Sequence, residues 1–267
     1  MGPDNLVSMR VVAFANQKGG VGKTSTVVGI AAALDRLGQR VLCVDMDPQA
    51  DLSIWLGVDV DAADEQVLTI NDAIYANTSG AAGEAVTKAA WGEQLHCAPS
   101  VLDLADREND GVIAGAFRLA TALEGLGERF DVVLIDCPPS VGRLVEMALV
   151  AATDLVVVTE PAAASLRGVK RVLATMEVVQ RHYNHGLHLA GIVVNAEKRT
   201  SEAALRIREV RQAYPEAVWD PVVPARAVVA AAAGAMAPVS AYGADAREVT
   251  AAHDAFARKI ARLEEVA

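Results

Sequence analysis

Apolar and β-branched runs closed by glycine, proline or aspartate recur along this chain, and most are followed by residues at helical spacing. Val11-Val12-Ala13-Phe14-Ala15 is the first such run and predicts a strand buried on both faces. Beyond a glycine-rich turn, Val27, Val28, Ile30, Ala31 and Leu34 mark a helix that stops at Gly38. The same reading predicts strands over 41–44, 94–98, 130–135, 155–159 and 189–194, with a short one from Val218 to Val223 ending in Pro224. Helices are predicted near Ile70 to Tyr75, from Ala114 to Leu126 with Gly127 as its end, from Ser165 to about Tyr183, from Arg199 to Ala213, and from Asp245 to Glu265. Between Asp59 and Gly92, Asp-Ala-Ala-Asp and Thr-Ser-Gly-Ala-Ala-Gly clusters read as surface connection. Alternating strand and helix predicts an α/β fold, a mostly parallel twisted sheet with helices on both faces. Residues 10–267 are expected to form a single domain behind an extension of nine residues.

Composition narrows the class without changing the fold. The chain has 267 residues, 52% hydrophobic and only 4% aromatic, which suits one large α/β domain. Its longest apolar stretch, Ala227 to Ala237, is alanine-rich and interrupted by Gly234, so it predicts a small-residue helix and not a membrane span. Met1 to Met9 carries Asp4 and has neither a basic end nor an apolar core, so a secretory signal is not expected and the chain is placed in the cytoplasm. Cys43, Cys97 and Cys137 show no paired spacing and read as small buried hydrophobes. A formal charge of −10 argues against a wholly basic nucleic-acid coat but leaves room for a local patch.

Candidate chemistry lies where the strands end. Asn16-Gln17-Lys18-Gly19-Gly20-Val21-Gly22-Lys23-Thr24 joins a strand to a helix, the context in which backbone N–H groups hold a polyphosphate. Lys23 is spaced to reach the β- and γ-phosphate oxygens, and the hydroxyl of Thr24 to meet a bridging Mg²⁺. The general pattern wants a glycine five residues before Gly22, where this chain has Gln17, and Lys18 stands at the mouth of the loop. Asp45 and Asp47 close the second strand, before Pro48, and strand alternation predicts that both face the same side. Asp136 closes the strand over 130–135, where a carboxylate orders Mg²⁺ through its water shell.

Lys18-Gly-Gly-Val-Gly-Lys-Thr24, Val44-Asp-Met-Asp-Pro-Gln49 and Leu134-Ile-Asp-Cys-Pro-Pro139, in that order, resemble the ParA family of chromosome and plasmid partition ATPases. This family belongs to the deviant Walker A group of P-loop NTPases, with MinD-type and nitrogenase-iron-protein-type ATPases. The resemblance implies ATP and Mg²⁺ as cofactors, with Gly19, Gly20, Val21, Gly22, Lys23, Thr24 and Ser25 on the phosphates. It implies that Lys18 reaches nucleotide held by the other subunit of an ATP-dependent sandwich homodimer. Asp47 corresponds to the aspartate that orients the attacking water, Asp45 to its neighbour, and Asp136, with Thr24 and Asp47, to the metal side of the site. Asn195 and the backbone near Pro224 correspond to the adenine contact. Ser25 replaces a usual second threonine, and Ala225 stands where an arginine is common, with Arg226 one position later.

The resemblance also implies non-specific DNA binding, a nucleoid location and a ParB-like centromere-binding partner that stimulates hydrolysis. From Arg167 to Arg211, nine cations stand against four carboxylates. Arg167, Lys170, Arg171, Lys198, Arg199, Arg206 and Arg208 are the candidate DNA contacts. With about nine residues ahead of the first strand, an added helix-turn-helix domain is not expected. Two other readings compete. A MinD-type ATPase acting on a membrane would need a basic amphipathic terminal helix, whereas the closing helix ends acidic at Glu264 and Glu265. An electron-donating iron–sulfur dimer would need loop cysteines facing the dimer axis.

Overall fold

The computed structural model describes residues 9–60 and 67–262. Seven strands form one sheet in the order β3-β4-β2-β5-β1-β6-β7: β1 (Arg10–Ala15), β2 (Val41–Asp45), β3 (Thr87–Lys88), β4 (Leu95–Ala98), β5 (Val132–Asp136), β6 (Asp154–Thr159) and β7 (His188–Val194). All neighbours are parallel except the short edge pair β3–β4. The helices are α1 (Lys23–Arg36), α2 (Asp51–Trp55), α3 (Ile70–Ala76), α4 (Arg118–Leu123), α5 (Arg143–Ala151), α6 (Ser165–His182), α7 (Ser201–Ala213), α8 (Ala227–Gly234) and α9 (Arg247–Arg262).

Alternation along the central strands sorts side chains onto two cores. Val12 and Phe14 of β1 face α1 and α9, while Val11, Ala13 and Ala15 face α3, α4, α5 and α6. With both faces covered, strand residues stay apolar on both sides, and each fully buried Phe, Leu or Ile contributes about 1.5–3 kcal/mol. On α6 the stripe Val169, Val172, Met176 and Val179 is buried, which leaves Arg167, Lys170, Arg171 and Arg181 exposed. α9 turns Val249, Phe256 and Ile260 inward, where Phe256 meets Trp219 at 5.5 Å between ring centroids. α1 and α9 approach closely at Gly29: a Cβ there would lie 1.9 Å from Nδ1 of His253.

Three expectations are corrected. The helix expected over 114–126 is split, because Glu124 leaves helical geometry and Gly125 adopts φ 76, so α4 is flanked by 3₁₀ turns at Gly115–Phe117 and Leu126–Glu128. Residues 218–223 form no strand; Pro221 lacks an N–H, and the segment meets β7 through an isolated bridge of Val218 with Ile192 and single bonds such as Val223 N to the Val194 carbonyl at 2.9 Å. The closing helix begins at Arg247, after a 3₁₀ segment over Val239–Ala246 kinked at Gly243. Its expected continuation through Leu263, Glu264 and Glu265, the Asp-Ala-Ala-Asp cluster and residues 1–8 of the extension lie outside the described residues.

Candidate active site

The loop between β1 and α1 lies at the carboxyl edge of the sheet, beside the ends of β2, β5, β6 and β7. Gly22 caps α1 at φ 84, and a Cβ on it would fall 1.8 Å from Nδ2 of Asn195. Only glycine fits there. No side chain caps α1, so its first N–H groups face the loop opening as donors for an anion. Asn195, at the end of β7, donates to the carbonyls of Val21 at 3.0 Å and Gly22 at 3.4 Å. Its amide thus braces the phosphate loop. Pro224 is buried nearby, flanked by bonds from Glu197 N to the Val223 carbonyl at 3.0 Å and from Ala225 N to the Glu197 carbonyl at 2.8 Å.

Thr24 donates from Oγ1 to Oδ2 of Asp136 at 2.6 Å. Oδ1 of Asp136 is buried and has no hydrogen-bond partner. Burial pushes this carboxyl up to about 8, reinforced by the charge of Asp45 and opposed by the Thr24 hydroxyl and Lys23. An orphaned carboxylate oxygen beside a hydroxyl and a buried lysine fits a hydrated divalent cation that would relieve that desolvation. Among the described residues no cluster of three or more His, Cys, Asp or Glu is arranged to hold a metal ion. That suits a cation completed by phosphate oxygens and water.

Asp45 and Asp47 differ in burial and in contacts. Asp45 is fully buried and accepts from Ser53 N at 2.9 Å, Ser53 Oγ at 2.6 Å and Asp47 N at 3.1 Å. Burial raises its carboxyl to about 7 against the pull of those hydrogen bonds. Asp47 is half-buried; desolvation raises its carboxyl, while the Gln49 N–H and the charge of Lys23 draw it back down. Asp47 therefore stands at the mouth, and Asp45 beneath it.

Lys18 is exposed and forms an ion pair with Glu160, just beyond β6. Arg171 reaches Gln17 Oε1 at 2.7 Å from the facing side of α6. Lys18, Glu160, Ser165, Arg167 and Arg171 line a cavity of about 510 Å³ beside the loop. Glu160 was missed in the sequence, although its place after a central parallel strand is the signal that singled out Asp136. Ser53 gives no such signal.

The candidate DNA contacts are dispersed. Arg199 pairs with Glu248, and Arg206 lies between Glu202 and Glu209 on its own helix. Arg167, Lys170, Lys198 and Arg208 are exposed and in no ion pair among the described residues. The apolar stripe of α9 is covered by α1, so within the described residues it is not free to lie on a membrane. No helix among them is long and apolar enough to cross one. Cys43, Cys97 and Cys137 are all fully buried.

A glycine loop capping a helix, with a hydroxyl–carboxylate pair at the edge of a parallel sheet, defines a P-loop NTPase fold. The AAA domain family AAA_31 matches residues 9–189. The chain is 34% identical over 220 residues to the sporulation initiation inhibitor protein Soj of Bacillus subtilis, covering 80% of this chain and 84% of Soj. It is 38% identical over 219 residues to the chromosome-partitioning ATPase Soj of Thermus thermophilus, covering 81% of each. The structure of cobyrinic acid a,c-diamide synthase from Mycobacterium smegmatis with bound ADP and magnesium superposes with a TM-score of 0.80 at 32% identity, covering 97% of this chain and 96% of that one. The same enzyme is known with a bound ATP analogue and magnesium. The chain belongs to the ParA family of partition ATPases.

Proposed function

We propose that this chain is a DNA-partition ATPase that binds Mg-ATP in the β1–α1 loop, closes as a homodimer, holds DNA without sequence preference and lets go after hydrolysis. The observation that carries the reading is the Thr24–Asp136 pair with its orphaned oxygen beside Lys23, a donor set made for a magnesium-bound triphosphate.

The loop amides of Gly19 to Thr24 and the Ser25 hydroxyl cradle the phosphates, and Lys23 neutralises the β- and γ-oxygens. A bound Mg²⁺ would supply charge neutralisation for the polyphosphate. Asp136 and Thr24 would hold it, with Asp47 close by. Asp47, poised at the mouth, orients the attacking water toward the γ-phosphate. Asn195 and the Pro224 backbone stand on the adenine side. Lys18 adds the second cation from the opposite subunit, so it must first leave Glu160. Turnover then depends on assembly, because transition-state charge is fully met only in the dimer. A ParB-like centromere-binding partner accelerates that step, and the protein works in the cytoplasm on the nucleoid.

Phosphate release and light scattering test this together. With ATP and Mg²⁺ the wild type hydrolyses slowly, and Asp47→Ala accumulates as a dimer. A protein that stays monomeric and inert with ATP would contradict the reading.

A further inference from the structure

Asp47 is the group at the mouth, yet its own contacts do not explain why it stays there. Its carboxylate accepts from Gln49 N at 3.0 Å, a contact within its own turn. The anchor to the rest of the fold runs through its backbone. Asp47 N donates to Oδ1 of Asp45 at 3.1 Å, and Oδ2 of Asp45 accepts from both the N–H and the hydroxyl of Ser53. The Ser53 hydroxyl in turn accepts from Ser100 N at 3.0 Å, just past the end of β4. Ser53 is 1% exposed and Asp45 0%, so no solvent competes for these bonds. On the other side, Met46 N donates to the carbonyl of Asp136 at 2.9 Å. The residues that carry Asp47 are thus hung between the ends of β4 and β5.

We infer that Ser53 is a positioning residue for hydrolysis, which fixes Asp47 over the phosphate loop by clamping Asp45 to the end of β4. The inference rests on the reading of Asp47 as the water-orienting carboxylate. A buried serine that served only to cap its helix would have no reason to address Asp45 and Ser100 at once. Because hydrolysis is sensitive to sub-ångström placement of the orienting group, loosening the clamp costs turnover and spares nucleotide binding, which is made by the loop.

The test compares Ser53→Ala, Ser53→Thr and the volume-conserving Asp45→Asn with wild type. Three readouts are taken: affinity for a slowly hydrolysed ATP analogue, the rate of phosphate release at saturating ATP, and amide hydrogen exchange at Asp47 in the unliganded protein. Ser53→Ala should slow turnover about tenfold and speed exchange at Asp47 about tenfold, the scale of one lost hydrogen bond, with affinity within about twofold of wild type. Ser53→Thr should restore both, Asp45→Asn should resemble Ser53→Ala, and adding Ser53→Ala to Asp47→Ala should cost nothing more. Unchanged Asp47 exchange in Ser53→Ala, or turnover and affinity lost in equal measure, overturns the inference. Failure of the underlying reading looks different: the wild type releases no phosphate, while the exchange experiment still decides whether Ser53 holds Asp47.

Discussion

Lys23 opens α1 and Asp136 ends β5, and the cation eases the burial of the carboxyl. Lys23 is only 6% exposed, and its charge opposes the burial that raises the carboxyl of Asp136. Lys23→Ala removes the cation on which a triphosphate depends; titration calorimetry should show nucleotide affinity lost by at least about a hundredfold, as expected for a buried charge contact. Asp47→Ala should bind normally and lose about a hundredfold or more in turnover, since it removes an interaction made in the transition state. At this scale Lys23, Thr24 and Asp136 were legible, because each is fixed by spacing against a strand or helix end. Asn195, Glu160 and Ser53 were not legible in their actual contacts. These partners lie 174, 142 and 8 positions away from Val21, Lys18 and Asp45 in the chain, and direction rather than spacing decides who meets whom.

Among the elements, the α1–α9 pair carries a pH dependence. His253 of α9 is 3% exposed against Gly29, and burial pulls its imidazole down to about 4, with Arg36 lowering it further and Asp254 raising it. In the unfolded chain the ring takes up a proton near pH 6.5, while the folded protein resists down to about 4. Stability from this group is therefore complete above about pH 6.5 and is lost as pH falls toward 4, by about 3 kcal/mol in all. Urea unfolding at several pH values should show that slope, and His253→Gln should flatten it. The same scale shows why some helices escaped the sequence reading. α5 has no side-chain cap of its own; its first N–H, on Arg143, is met by Glu108 at 2.6 Å, thirty-five residues earlier. Nothing local announces such a start. The periodicity over 114–126 was real, but Gly125 broke it, and Pro221 did the same to the expected strand at 218–223.

For the whole molecule, alternation of strand and helix was enough to foresee a parallel sheet covered on both faces. Strand order was not foreseeable, since it is set by which crossovers pack together, and neither was the antiparallel edge strand β3. Net charge gave no guide to a DNA surface either: the formal charge is −10, and two of the seven candidate cations are already neutralised by glutamates. Of the five exposed cations outside such pairs, Arg167 and Arg171 line the cavity beside the phosphate loop, which leaves Lys170, Lys198 and Arg208 as those proposed to meet a phosphate backbone. The measurement that bears most directly on the account is DNA retention by the purified chain with no nucleotide, ADP, ATP and a slowly hydrolysed ATP analogue, on unrelated duplexes at two salt concentrations. The account predicts binding only with triphosphate, equal across sequences, weakened by salt, and with a salt slope lowered by about one for each contacting residue among Lys170, Lys198 and Arg208 changed to Ala. Indifference to DNA in every nucleotide state, with ATP still bound and hydrolysed, would contradict it.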